Sequence, residues 1–164
     1  MSDVFVAVTP LKLRSARYGP PFAVATVRVV LEARRSPGFV AGRLATESGG
    51  AFWTITAWED RAAMRGYRDS GVHRETMPKL KTWCDEASVV HWEQEEGRLP
   101  DMAEALERMA REGRPSPLSV PSPAHAAREV APSGRSLRPG PRLSPARRRR
   151  APFTDRHPAD GRAA

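Results

Sequence analysis

Phe52-Trp53-Thr54-Ile55-Thr56-Ala57-Trp58-Glu59-Asp60 continues through Arg61-Ala62-Ala63-Met64-Arg65-Gly66-Tyr67 and, within one more turn, reaches Ser70-Gly71-Val72-His73. The first part is aromatic and β-branched, as a strand requires. Asp60 then offers a side-chain oxygen to cap a helix on which Ala63, Met64 and Tyr67 share a face, and Gly71 suits the left-handed residue at its end. A strand that feeds directly into a helix, with a histidine just beyond it, sets the frame into which the remaining segments must fit.

Working toward the N-terminus, Glu47-Ser48-Gly49-Gly50 reads as a hairpin loop joining this strand to an earlier one over Phe39 to Thr46. Before that, Pro20 and Pro21 open a helix on which Phe22, Ala25, Thr26, Val29, Val30 and Ala33 recur at helical spacing, and Ser36-Pro37-Gly38 closes it. Val4 to Leu11 is a first strand, with Pro10 at a bulge or an exposed edge.

Toward the C-terminus, His73 to Met77 is expected to form a short helical piece interrupted before Pro78, because a residue preceding proline is pushed out of the α region. Lys79 to Trp83 adds a turn, Ala87 to Glu93 is a fourth strand, and Pro100-Asp101 opens a last helix carrying Met102, Leu106 and Met109 and closed by Gly113. The order β-α-β-β-α-β followed by α predicts an α+β, ferredoxin-like domain over residues 1–113, built on a four-stranded antiparallel sheet.

The third strand sends Phe52, Thr54, Thr56 and Trp58 to one face and Trp53, Ile55 and Ala57 to the other, so neither face is plainly hydrophilic. Helices can cover one face. A second copy of the same sheet would be the simplest cover for the other, which predicts a homodimer.

Composition divides the chain at about residue 113. Up to Gly113 there are 16 Lys plus Arg against 16 Asp plus Glu, whereas residues 114–164 hold 11 arginines against three acids, so the net +8 belongs to the second part. That part also contains ten of the sixteen prolines and no Trp, Tyr, Ile or Met. It cannot bury enough apolar surface to offset its ordering entropy, and residues 114–164 are predicted to be a disordered tail. Arg147-Arg148-Arg149-Arg150 would give weak, sequence-blind contact with nucleic acid at most; a solvated extension is the favoured reading. Cys84 is the single cysteine, suits a reducing compartment, and sits beside Asp85 and Glu86, which disfavour a thiolate. No run approaches 18 apolar residues and Met1 to Val8 lacks a signal-peptide pattern, so a cytoplasmic protein without a membrane span is expected.

The order of elements, Ser36-Pro37-Gly38-Phe39 and the run from Phe52 to Asp60 resemble the antibiotic biosynthesis monooxygenase-like proteins of the dimeric α+β barrel superfamily. With Met64, His73 and Met77, the run is similar more narrowly to an uncharacterised bacterial branch related to spheroidene monooxygenase. The resemblance covers residues 3–112 and implies a paired, barrel-forming sheet with a small apolar pocket. Its superfamily hosts oxygenases, haem-degrading enzymes, isomerases and proteins without activity, so it speaks for fold more than for chemistry. In haem-degrading relatives, positions matching Ala7, Tyr67 and Met77 carry an asparagine, a tryptophan and an iron-binding histidine. All three differ here, which argues against that reaction and leaves either no cofactor or haem held differently through His73.

His73 is the first candidate for chemistry, as a proton shuttle or iron ligand, with helix capping as the alternative. Tyr67 would be its hydrogen-bond partner and Arg43 an anchor for a substrate charge, although pairing with Glu93 or an interface acid also accounts for an arginine in a small, apolar strand. Trp58, Met64 and Met77 would line the pocket. His91, Trp53, Trp83 and Trp92 read as core or interface residues. No metal-ligand spacing, phosphate loop or nucleophile elbow is present. The functional expectation is a monooxygenase-like protein acting on a small hydrophobic aromatic or polyene molecule, cofactor-free or haem-assisted; the alternative is a non-catalytic ligand-binding or assembly protein of the same fold.

Overall fold

The computed structural model describes residues 2–95, 97–130 and 135–146. The strands are β1 (Val4–Leu13), β2 (Phe39–Glu47), β3 (Phe52–Trp58), β4 (Cys84–Gln94), β5 (Arg114–Pro115) and β6 (Leu137–Leu143). The helices are α1 (Gly19–Arg35), α2 (Arg61–Arg68), α3 (Gly71–Trp83), α4 (Met102–Glu112) and the short α5 (Pro123–Ala126), with a 3-10 turn at Ala16–Tyr18. All strand pairs are antiparallel, in the order β5-β4-β1-β3-β2-β6. The central order β4-β1-β3-β2 is what a βαββαβ chain gives when its two halves interleave. The four expected strands are present, and the sheet extends to six because β5 and β6 add one strand at each edge.

Local chemistry explains the boundaries. Asp60 Oδ1 accepts from the Ala63 N–H at 2.7 Å and starts α2, and Asp101 Oδ1 does the same for α4 by accepting from Glu104 at 2.8 Å. Gly38, at φ +77°, lets the chain enter β2 beneath α2; a Cβ there would stand 2.5 Å from that of Ala63. The break expected before Pro78 does not occur, and α3 runs unbroken through it. A proline inside a helix removes one i→i−4 bond, and here packing against α1 and β4 outweighs that loss.

Each face of the sheet has its own core. On one, Phe5, Ala7, Phe39 and Trp58 meet Ala33 of α1 and Met64 of α2. On the other, Val6, Val8, Trp53, Ile55, Val90 and Trp92 are covered by Ala105 and Met109 of α4, with Val130 and Leu137 packed beside them. The sequence offered a second copy of the sheet as cover for this face. The chain's own α4 does it instead, leaving Trp53 1% and Ile55 0% exposed, so the argument for pairing from an uncovered apolar face no longer holds.

Segments beyond Gly113 that read as a disordered tail are docked in two stretches, 114–130 and 135–146. The anchor is polar. Glu47, placed by the sequence in the hairpin loop, ends β2 with its carboxylate buried, accepting from Trp53 Nε1 at 3.0 Å and from Arg135 Nη1 at 3.0 Å. Beyond it β6 pairs with β2 from Gly42↔Leu143 to Glu47↔Leu137, and Leu143 joins the core. Composition could not show this, because the partner of Arg135 lies 88 residues away. Arg147-Arg148-Arg149-Arg150 lies outside the described residues. Among those described, no helix is long and apolar enough to cross a membrane.

Candidate functional site

Three rings form a continuous chain of contacts, one stacked and one edge-on, where α2 and α3 meet the sheet. Trp58, fully buried at the end of β3, lies against Tyr67 of α2 with centroids 4.9 Å apart and planes at 25°; Tyr67 in turn meets the His73 ring at 4.9 Å and 60°. Each ring has its polar atom committed. Trp58 Nε1 donates to Thr56 Oγ1 at 3.0 Å, and that hydroxyl donates to the Ala7 carbonyl at 3.3 Å. Tyr67 Oη donates to the Val29 carbonyl of α1 at 3.3 Å, and burial, with Glu32 nearby, pushes its pKa well above the ordinary value.

His73 Nδ1 lies 3.0 Å from the carbonyl oxygen of Arg68, the last residue of α2. A carbonyl can only accept, so Nδ1 carries the proton and Nε2 keeps a lone pair. Burial lowers the His73 pKa; the Arg68 carbonyl and Glu32 offset part of that. The capping role named as the alternative from the sequence is therefore realised, and the same bond fixes the tautomer a base would need. His73 sits in the first turn of α3, not beyond a helix end, and its backbone N–H donates to Glu32 Oε2 at 3.0 Å while that of Val72 donates to Glu32 Oε1 at 2.9 Å. Glu32 of α1 thus fills the N-terminus of α3 with a carboxylate, and Gly71, at φ +54°, leaves room for it.

The other expected site residues divide. Met64 is buried beside Trp58, as a pocket wall would be. Met77 lies exposed on α3. Arg43 pairs in register with Ile55, whose side chain belongs to the core under α4; it is on the opposite face of the sheet from His73 and from Glu93, and cannot anchor a substrate beside that histidine. The structure thus brings together Trp58, Met64, Tyr67 and His73, and separates Arg43 and Met77 from them.

A second group, which the sequence reading did not assemble, occupies the same face of the sheet. His91 stands opposite Ala7 and its ring is 5.4 Å from that of Phe5. Arg61 lies over the same Phe5 ring, 5.2 Å from its centroid. Burial, then the positive charges of Arg114, Arg68, Arg61 and Arg65, hold the His91 imidazole below its ordinary pKa. Arg61, Arg65 and Arg68 fall at i, i+4 and i+7 on α2, a stripe visible in the sequence but overlooked beside the apolar stripe of Ala63, Met64 and Tyr67.

Haem does not fit the residues around His73. Tyr67 packs against one side of the ring, and Glu32 and α1 back the first turn of α3. An open recess of about 930 Å³ lies elsewhere, lined by Ser2, Asp3, Val4, Val40, Glu59, Gly97 and Arg98, with no histidine or tyrosine among them. No cluster of three or more His, Cys, Asp or Glu able to hold a metal exists among the described residues.

A family model described as Domain of unknown function (DUF3291) matches residues 16–114, from the 3-10 turn to Arg114. The chain belongs to this family. No curated protein matches it. Among solved structures, the DUF3291 chain is similar to a protein from Pseudomonas aeruginosa at TM-score 0.51 and 12% identity, covering 57% of this chain and 96% of that one. It is similar to a candidate monooxygenase from Fusobacterium nucleatum at 0.51 and 12%, covering 62% of this chain and 46% of that one. A weaker likeness, 0.48 and 15%, is to a candidate antibiotic biosynthesis monooxygenase from Nitrosomonas europaea, covering 56% of this chain and 90% of that one. At 12% identity the two likenesses at TM-score 0.51 support the α+β fold with its antiparallel sheet and no activity.

Proposed function

We propose that this DUF3291 protein is a cofactor-free, monooxygenase-like enzyme that removes a proton from an electron-rich, hydrophobic small molecule, aromatic or polyene, and leaves the resulting anion to react with oxygen. The observation that carries the proposal is the bond from His73 Nδ1 to the Arg68 carbonyl. It presents a neutral imidazole with a fixed tautomer, which burial keeps neutral near pH 7. In the proposed step, the substrate proton passes to Nε2 and the electron pair stays on the substrate, where positive charge from the α2 arginines favours it. Tyr67 and Trp58 hold the histidine in place and are not proton donors, since the Tyr67 hydroxyl is committed to Val29.

The narrower kinship with spheroidene monooxygenase rests on the Phe52 to Asp60 run with Met64, His73 and Met77 and belongs to this reading. Oxygen uptake with dithranol and a panel of hydroquinones tests it. Turnover reduced about 10²- to 10⁴-fold in His73→Gln, at a temperature where thermal unfolding shows the variant still folded despite its altered cap on Arg68, is the expected result. No uptake with any member of the panel would favour the binding-protein alternative. Sedimentation velocity at micromolar concentration decides whether the homodimer forms, which would now have to use a surface other than the two covered sheet faces.

A further inference from the structure

Arg14 and Arg17 converge on one side chain at the corner where β1 gives way to α1. Both guanidinium groups lie over the Tyr18 ring, 4.8 and 4.7 Å from its centroid, and both donate from Nη2 to the Tyr18 hydroxyl oxygen. Two donors on one oxygen stand within about 6 Å of each other, so two positive charges are held at close range. No carboxylate offsets them. Neither arginine makes an ion pair among the described residues, and the chain carries no acidic residue from Val4 to Leu31. Of the two acids near the start of β4, Glu86 is taken by Lys12 and by the Ser122 hydroxyl, and Asp85 pairs with neither arginine. By contrast, Arg68, Arg108, Arg111 and Arg135 each hold a carboxylate. Unbalanced positive charge of this kind raises the local potential and favours a counter-anion.

The pair is held in place by the last turn of α3. The Arg14 backbone N–H donates to the Trp83 carbonyl at 2.9 Å, and Arg14 Nε donates to the Thr82 carbonyl at 2.6 Å. Most N–H groups of the two guanidinium groups remain unspent, so donors fixed in advance await an acceptor. Trp83, half-buried, lies beside Tyr18 with centroids 6.4 Å apart and planes at 26°. Lys79 and Lys81, both exposed, add positive charge to the same half of α3. Two guanidinium groups suit an anion of matching charge, and a phosphate monoester carries about −1.5 to −2 near pH 7. The indole beside them suits a planar ring attached to that phosphate.

We infer that Arg14 and Arg17 bind the phosphate of a nucleotide whose base lies against Trp83. The site is separate from the proposed chemistry, since His73 is in the first turn of α3 and Trp83 is its last residue, and it does not rest on the oxygenase reading.

Calorimetric titration of the full chain at low ionic strength with AMP, adenosine and inorganic phosphate tests it. The expected result is AMP bound at least about tenfold more tightly than either of the others, with its advantage over adenosine lost in Arg14→Gln/Arg17→Gln. Trp83→Leu should weaken AMP and leave phosphate unchanged. Thermal unfolding checks that each variant folds; if the double variant does not, Arg17→Gln alone, whose side chain bonds only to Tyr18, must show the loss. Attraction of AMP to Arg147-Arg148-Arg149-Arg150 would be the same in wild type and variants, so AMP binding that survives the arginine substitutions overturns the inference. AMP bound no more tightly than adenosine, or phosphate bound as tightly as AMP, overturns it as well. Oligothymidylate with and without a 5′-phosphate separates the sources. A preference for the phosphorylated form, lost in the double variant, assigns the site to a nucleic-acid end; no preference, with AMP binding intact, assigns it to a free nucleotide.

Discussion

The imidazole of His73 donates from Nδ1 to the carbonyl oxygen of Arg68, 3.0 Å away, so that the end of one helix is capped by a side chain from the first turn of the next. The cap holds α2 against α3, and the positive charge of Arg68 helps to lower the pKa of both His73 and His91.

Acid should destabilise the fold through these two groups. Both imidazoles have pKa values lowered in the folded chain, chiefly by burial, whereas in the unfolded chain they titrate near about 6.5. Below that value the unfolded chain binds more protons, so stability is fully present above about pH 6.5 and falls as the pH drops through the lowered values. Thermal midpoints measured from pH 7.5 to 5 should decline, and more gently in His91→Gln. A flat profile would contradict the burial of both rings.

Gly71 should not tolerate a side chain. Its φ of +54° and the Glu32 oxygen that would lie 1.8 Å from an added Cβ both oppose alanine, and yielding would strip the carboxylate from the N-terminus of α3. Gly71→Ala is expected to cost about 1–3 kcal/mol in urea unfolding. Glu32→Gln should cost less, because an amide oxygen still accepts one of the two bonds.

The Glu47 clasp should hold the segment 135–146. Arg135→Ala leaves a buried carboxylate with Trp53 Nε1 as its remaining partner, a loss of about 1.5–3 kcal/mol. Hydrogen exchange should then quicken along β6 and leave α1 unchanged. If protection of Leu137–Leu143 is the same in the variant, the clasp is not what docks that strand.

Cys84 should be inert in the native protein. It is fully buried, and burial with the Asp85 charge pushes its thiol up to about 12. Iodoacetamide at pH 8 should label it only as fast as the chain unfolds; rapid labelling would mean that the start of β4 opens.

What the sequence could and could not show follows the distance between partners. The Asp60 cap and the face shared by Ala63, Met64 and Tyr67 depend on residues within one or two turns, and both appear where spacing placed them. Pro78 misled because its local preference was weighed without the packing of α3 on α1 and β4. Arg43 misled because a charge in an apolar strand does not disclose which face it serves, and the register with Ile55 puts it on the face away from His73. His91 read as structural because its arginine neighbours come from α2 and from the first residue past Gly113.

By itself the sequence determined the kinds and order of the elements and, through them, the interleaved β4-β1-β3-β2 sheet, because caps, turns and hydrophobic periodicity act over a few residues. Only the tertiary structure decided what covers each face, that Glu47 and Arg135 fasten a proline-rich segment to the sheet edge, and that basic residues from α2 and β5 gather beside His91. Those outcomes depend on burial and charge shared between residues far apart in the chain, and no local pattern encodes them.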